Sequence, residues 1–139
     1  MRNDGKDAEA GFVAIYERHG AVIERFRDQA DLRGRNGGRA VGAFPQPSDF
    51  LVTHLGLLQY AEVKSTVSKT SFAFGCLQPA QSAAALKQAK VSGPYFFYIY
   101  SFHHDKWYVM TCKQYATALA AGRASVKFEE LSPWPLSPT

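Results

Sequence analysis

DFLVTHLGLLQYAEVKST, residues 49–66, is the stretch whose reading decides the fold. Apolar and β-branched residues flank Leu55-Gly56, and a two-residue turn there joins two antiparallel strands, around residues 49–54 and 57–66. Counting outward from such a turn places His54 opposite Leu57 and Asp49 opposite Glu62. Directly opposed positions hold their Cβ atoms about 4.5–5.5 Å apart on one face of the sheet. Lys64 shares that face, because side chains alternate along a strand. Two carboxylates so placed repel, and a divalent cation between them is the natural compensation. The backbone carbonyl of Val63 offers one more oxygen, and oxygen ligands of this kind suit Mg2+ or Mn2+. A lone Glu-x-Lys is common on solvated strands. Its weight here comes from the register with Asp49 and from the apolar flanks, Phe50-Leu51-Val52 and Leu57-Leu58.

The charge pattern isolates the same pair. The chain carries 16 Lys and Arg against 12 Asp and Glu, a net charge of only +4, which alone says little about a partner. Between residues 32 and 104, however, the acidic residues are Asp49 and Glu62, among Arg33, Arg35, Arg39, Lys64, Lys69, Lys87 and Lys90. A basic middle section attracts phosphate, and two carboxylates retained inside it are poorly explained as solubilising decoration.

Outward from the hairpin, the 139 residues read as one domain, 1–130, followed by a Pro-rich tail, 131–139. Hydrophobic residues at 46% and charged residues at 20% exclude a disordered or fibrous chain. The apolar run at 95–100 is too short to cross a bilayer, and no charged-then-apolar leader opens the sequence, so a cytoplasmic protein without a membrane partner is expected. Cys76 and Cys112 form neither a metal spacing nor a disulfide framework. Asn3 or Asp4 caps a first helix over about 5–18, with Glu9, Phe12, Val13 and Tyr16 on one face and Gly20 as its stop. AVIERFR (21–27) alternates as a strand, and a long Gly- and Arg-rich loop occupies 29–48. Pro79 opens a second helix that Ser92-Gly93-Pro94 stops. YFFYIYS (95–101) and WYVMT (107–111) form a strand pair around a turn at 103–106. Thr111 and Gln114 make a capping box for a last helix ending near Gly122, and a short edge strand lies near 126–129. The order is αβββαββα, an α/β fold with a mixed central sheet flanked by helices.

AEVKSTVSKTSFAFGCLQPAQ, residues 61–81, resembles the core of RecU-type Holliday junction resolvases, within the PD-(D/E)XK nuclease superfamily. The likeness rests on Glu62 and Lys64 at the strand end, Thr66 two residues on, Lys69-Thr70-Ser71-Phe72, and Gln81 early in the following helix. It extends more weakly to Asn3, Gly5, Lys6 and Glu9, to Pro47-Ser48-Asp49-Phe50, and to the strand pair after the second helix. The resemblance implies a restriction-endonuclease-like core and a metal-dependent endonuclease that resolves four-way DNA junctions as a homodimer. It implies that Glu9 joins Asp49, Glu62 and Val63 around the metal, with Asp49, Glu62, Lys64 and Gln81 catalytic and Gln81 beside the scissile group or the attacking water. DNA would lie against Lys6, Thr66, Lys69, Thr70 and Ser71, and against Arg33, Arg35 and Arg39, whose guanidinium groups suit phosphate. Two features depart from the pattern. Ser48 separates Pro47 from Asp49, and the chain is shorter than cellular members, with the 29–48 loop where their junction-inserting element stands. A compact, phage-type member would have that length.

Two other readings stay open: a nuclease for flapped, otherwise branched or single-stranded DNA, and a non-catalytic DNA-binding module on the same fold. Elsewhere the plainer expectations hold. His103-His104-Asp105 is a turn whose side chains diverge, the aromatic residues of 95–108 are core, Gly34 to Gly42 lack the Lys-Ser/Thr of a phosphate loop, and the Pro-rich ending is a loose tail.

Overall fold

A computed structural model describes residues 4–26 and 46–138. Helix α1 spans Asp4–Arg18, followed by β1 (Val22–Arg25), β2 (Phe50–His54), β3 (Leu57–Thr66) and β4 (Ser71–Ala73). A 3-10 turn at Phe74–Cys76 leads to α2 (Pro79–Lys90), β5 (Tyr95–Ser101), β6 (Lys106–Thr111) and α3 (Cys112–Ala120). Strand β7 (Ser125–Lys127), a second 3-10 turn and β8 (Ser132–Pro133) close the chain.

The main sheet runs β1-β2-β3-β5-β6-β8, with β3 and β5 parallel and the other neighbours antiparallel. It is the expected mixed sheet. The β2–β3 register has His54 opposite Leu57 and Phe50 opposite Ala61, as counted from Leu55-Gly56. Leu55 (φ 52) and Gly56 (φ 78) both adopt the left-handed conformation, which matches the turn twist to that of the strands. Helix α1 stops at Gly20 (φ 80), where Ala21 N–H reaches Tyr16 C=O and Gly20 N–H reaches Glu17 C=O, the bond pair of a Schellman ending. Thr111 and Gln114 form their capping box at α3.

Each face of the sheet carries its own core. On one, α1 contributes Ala8, Phe12, Ile15 and Tyr16, packed on Phe50, Val52, Ala61, Val63 and Tyr98. Glu9 and Val13 sit at the margin of that helical face, partly exposed. On the other face, Ala85 of α2 and Tyr115 and Ala118 of α3 cover Tyr95, Phe97, Ile99 and Met110. The aromatic run 95–101 is core, as its composition implied. Cys76 and Cys112 are both free thiols.

Three expectations need correcting. The edge strand near 126 does not extend the main sheet. It pairs with β4, a strand that three residues gave too little signal to reveal, in a separate two-stranded sheet. The start of the Pro-rich tail is not loose, since β8 pairs with β6 and Leu131 and Trp134 are buried. Trp134 rings lie 5.0–5.5 Å from those of Phe12, Tyr16, Tyr98 and Trp107, and an indole so placed has no reason to enter water. The first strand is shorter than the alternation in 21–27 implied, since pairing covers Val22–Arg25. Among the described residues, no helix is long and apolar enough to cross a membrane.

Candidate active site

The site forms where β2 and β3 part. Backbone pairing between them runs from the turn to Phe50 and Ala61. One step further the side chains take over: Asp49 N–H donates to Glu62 Oε1 at 3.0 Å, and Val63 N–H donates to Asp49 Oδ2 at 2.8 Å. Asp49 and Glu62 therefore face each other as the register required, each carboxylate held by the other strand's backbone. Lys64 lies on the same face, its Nζ 3.3 Å from Glu62 Oε2.

Burial makes this trio electrostatically tense. Glu62 is 2% exposed, an unusually deep enclosure for a charged group. Burial, then the neighbouring charge of Asp49, pushes its carboxyl up to about 8, against the pull of Lys64. Burial also raises Asp49, countered by the Val63 N–H, Lys64 and Arg25. At neutral pH the pair thus retains a proton that two separate carboxylates would shed. A divalent cation relieves the same repulsion, and the all-oxygen donor set fits Mg2+ or Mn2+. Asp49 and Glu62 are the residues that would hold it. Val63 meets the site through its N–H, and its side chain belongs to the core beneath α1.

Glu9 lies close enough for its carboxyl to feel the charges of Asp49 and Lys64. Burial and then Asp49 raise it, while Arg25, Lys6 and Lys64 hold it down. Its direct partner is Arg25, 3.4 Å away. Among the described residues no group of three or more His, Cys, Asp or Glu side chains is gathered as if to hold an ion. Gln81 sits in the first turn of α2 and its Nε2 donates to the Gln46 carbonyl at 3.1 Å, while its buried Oε1 has no hydrogen-bond partner among the described residues. Lys6, Lys69 and Thr70 are exposed, whereas Thr66 and Ser71 are partly buried. Thr66 Oγ1 accepts from Ser68 N–H, Ser71 pairs with Lys127, and Lys69 and Thr70 line an open cleft with His104 and Lys127. Arg33, Arg35 and Arg39 lie outside the described residues.

Two contributors carried no signal in the sequence. Arg25 reads as the polar face of a strand, yet it joins Glu9 and stands 5.6 Å over the Phe50 ring. Tyr95 reads as one aromatic among many. Its hydroxyl is nevertheless raised, first by burial and then by the charges of Glu62 and Asp49, which marks it as the site's neighbour. Conversely, His104 spends its ring nitrogen on the Lys69 carbonyl at 2.7 Å, which fits a turn tied down rather than a ligand set.

No protein-family model matches the chain, and no curated protein matches it in sequence. Among solved structures it is similar to Hjc, a Holliday junction resolvase from the archaeal hyperthermophile Archaeoglobus fulgidus, with a TM-score of 0.51 and 12% identity over 78% of each chain. At that identity the likeness is one of fold, and the fold of this chain is the restriction-endonuclease-like one, a mixed central sheet flanked by helices.

Proposed function

We propose that this protein is a metal-dependent endonuclease that hydrolyses DNA phosphodiester bonds, with four-way junctions as substrate and a homodimer as the acting form. The observation that carries the reading is the buried Asp49–Glu62 pair with Lys64 beside it, on a fold shared with a junction resolvase. A bound Mg2+ or Mn2+ supplies polarisation of a phosphate oxygen and of an attacking water, and neutralises charge that grows in the transition state. The chain does the rest. Asp49 and Glu62 fix the carboxylate oxygens through each other's backbone. Lys64 is 21% exposed at its side chain and presents an ammonium to the phosphate or to the water that attacks it. In the reaction a water oxygen bonds to phosphorus, the bond to the leaving sugar oxygen breaks, the water loses a proton and the leaving oxygen gains one.

The deciding experiment incubates the protein with labelled four-way, flapped, duplex and single-stranded DNAs, with and without Mg2+ or Mn2+. Cleavage of the junction at symmetric positions, only with the cation, is expected. Preference for flaps or single strands would reassign the substrate, and binding without any cleavage would leave a DNA-binding module. The basic loop gives a separate expectation. Replacing Arg33, Arg35 and Arg39 with Ala weakens binding and flattens its dependence on log salt by ~0.9 for each phosphate that these guanidinium groups neutralise. An unchanged slope would show that those side chains stay off the DNA.

A further inference from the structure

The backbone ladder that aligns β2 with β3 stops at Phe50, one residue short of Asp49. Val63 N–H, which a continuing ladder would direct to the backbone at Ser48, goes instead to the Asp49 carboxylate. On the β1 side Phe26 N–H still donates to the Asp49 carbonyl at 3.0 Å, whereas the residues leading into Asp49 are held from β5 and α2. Tyr95, the first residue of β5, is fully buried, its ring stacked at 5.9 Å on Tyr60 and packed at 5.3 Å against Phe97. Its hydroxyl donates to the Pro47 carbonyl, with the Gln81 carbonyl 3.4 Å away. Gln81 Nε2 donates to the next carbonyl back, that of Gln46. Ser48, 2% exposed, donates through Oγ to the Phe50 carbonyl at 2.9 Å. Each residue from Gln46 to Asp49 is thus held by a hydrogen bond, and the ones from outside the segment that precede Asp49 come from Tyr95 and Gln81.

We propose that Tyr95 and Gln81 are positioning residues, which clamp the carbonyls of Pro47 and Gln46 so that the Asp49 carboxylate stays opposite Glu62. Tyr95 is fully buried and its hydroxyl is spent on the Pro47 carbonyl, so it acts through the chain. Its rigid, stacked ring transmits the order of the central sheet to a segment that has left the sheet. A carboxylate pair must be held within a fraction of an ångström to share an ion, so an anchor this close to Asp49 acts on metal affinity and on the chemical step rather than on DNA binding. This inference rests on the proposed nuclease site only for those functional consequences; the clamp itself is independent of it.

The test compares wild type with Tyr95→Phe, which keeps the buried ring and removes the hydroxyl, and with Gln81→Met. Amide hydrogen exchange is measured in the metal-free protein. Protection at Asp49 and Val63 is expected to fall by roughly tenfold in Tyr95→Phe, the factor that one net hydrogen bond represents, while Ile99 and Met110 stay unchanged. Gln81→Met shifts the same two amides in the same direction. Calorimetric titration with Mn2+ then gives weaker binding, and junction cleavage shows a lower kcat with KM unaltered. Unchanged protection at Asp49 and Val63 would overturn the clamp, as would an equal loss throughout β5 and β6, which would make Tyr95 a plain core residue. Should the wild type neither cleave DNA nor bind Mn2+, the nuclease reading fails, and the exchange data still decide the clamp.

Discussion

Glu62→Gln, and separately Asp49→Asn, is expected to abolish junction cleavage while leaving junction binding intact or tighter. Both substitutions preserve shape and replace a carboxylate that can ionise with a carboxamide that cannot. A carboxamide oxygen is a poor cation ligand beside a carboxylate, so the grip on the metal is lost. A divalent cation held there would be worth several kcal/mol of transition-state charge stabilisation, and a loss of about 4 kcal/mol is roughly a thousandfold in rate. Binding is spared near neutral pH, where the pair already holds one proton, and tightens above pH 8, where the variant brings one less like charge to the phosphate backbone. Cleavage and gel shift on the same labelled junction separate the two effects, and wild-type cleavage by either variant would remove these residues from the chemistry. Lys64→Ala probes the third corner of the site, where Nζ lies 3.3 Å from Glu62 Oε2: cleavage drops with the carboxylates still in place.

The legible parts of the molecule were those written in local pattern. The β2–β3 register follows from one turn, Leu55-Gly56, and that register, continued one step, sets Asp49 opposite Glu62. The helix boundaries at Gly20, Pro79 and Thr111 follow from caps and stops that act within a few residues. What stayed hidden depends on contacts between distant segments. Strands β4 and β7 are three residues each and pair across a long stretch of intervening chain. Trp134 enters the α1 core only because Phe12, Tyr16, Tyr98 and Trp107 leave a place for an indole, which no periodicity announces. Arg25 and Tyr95 reach the site by the same kind of long-range placement. An arginine on an outer strand and a tyrosine in an aromatic run each have a simpler explanation when read alone.

A second large effect concerns stability. In the folded, metal-free protein Glu62 titrates near 8, against 4.5 for an ordinary glutamate, chiefly because it is buried and then because Asp49 faces it. The folded state consequently holds a proton that the unfolded chain releases across that interval. Below pH 4.5 both states are protonated and nothing is lost. As pH rises towards 8 folding must either keep the proton or bury the charge, so stability declines through the window and levels off above it. Glu62→Gln removes the titrating group. The variant should match wild type near pH 4 and exceed it at pH 8 by a few kcal/mol. Each tenfold change in proton affinity between the folded and unfolded states is worth about 1.4 kcal/mol, and the lost bridge to Lys64 offsets part of the gain. For a chain of this length that is upwards of about 5 °C in Tm. Adding Mg2+ at pH 8 should raise the Tm of wild type and leave the variant nearly unmoved, because only the intact pair binds the ion in the folded state. Melting curves at pH 4, 6 and 8, with and without the cation, check every part. A variant no more stable than wild type at pH 8 would mean that the two carboxylates are not under strain, and that the cation is not what their arrangement awaits.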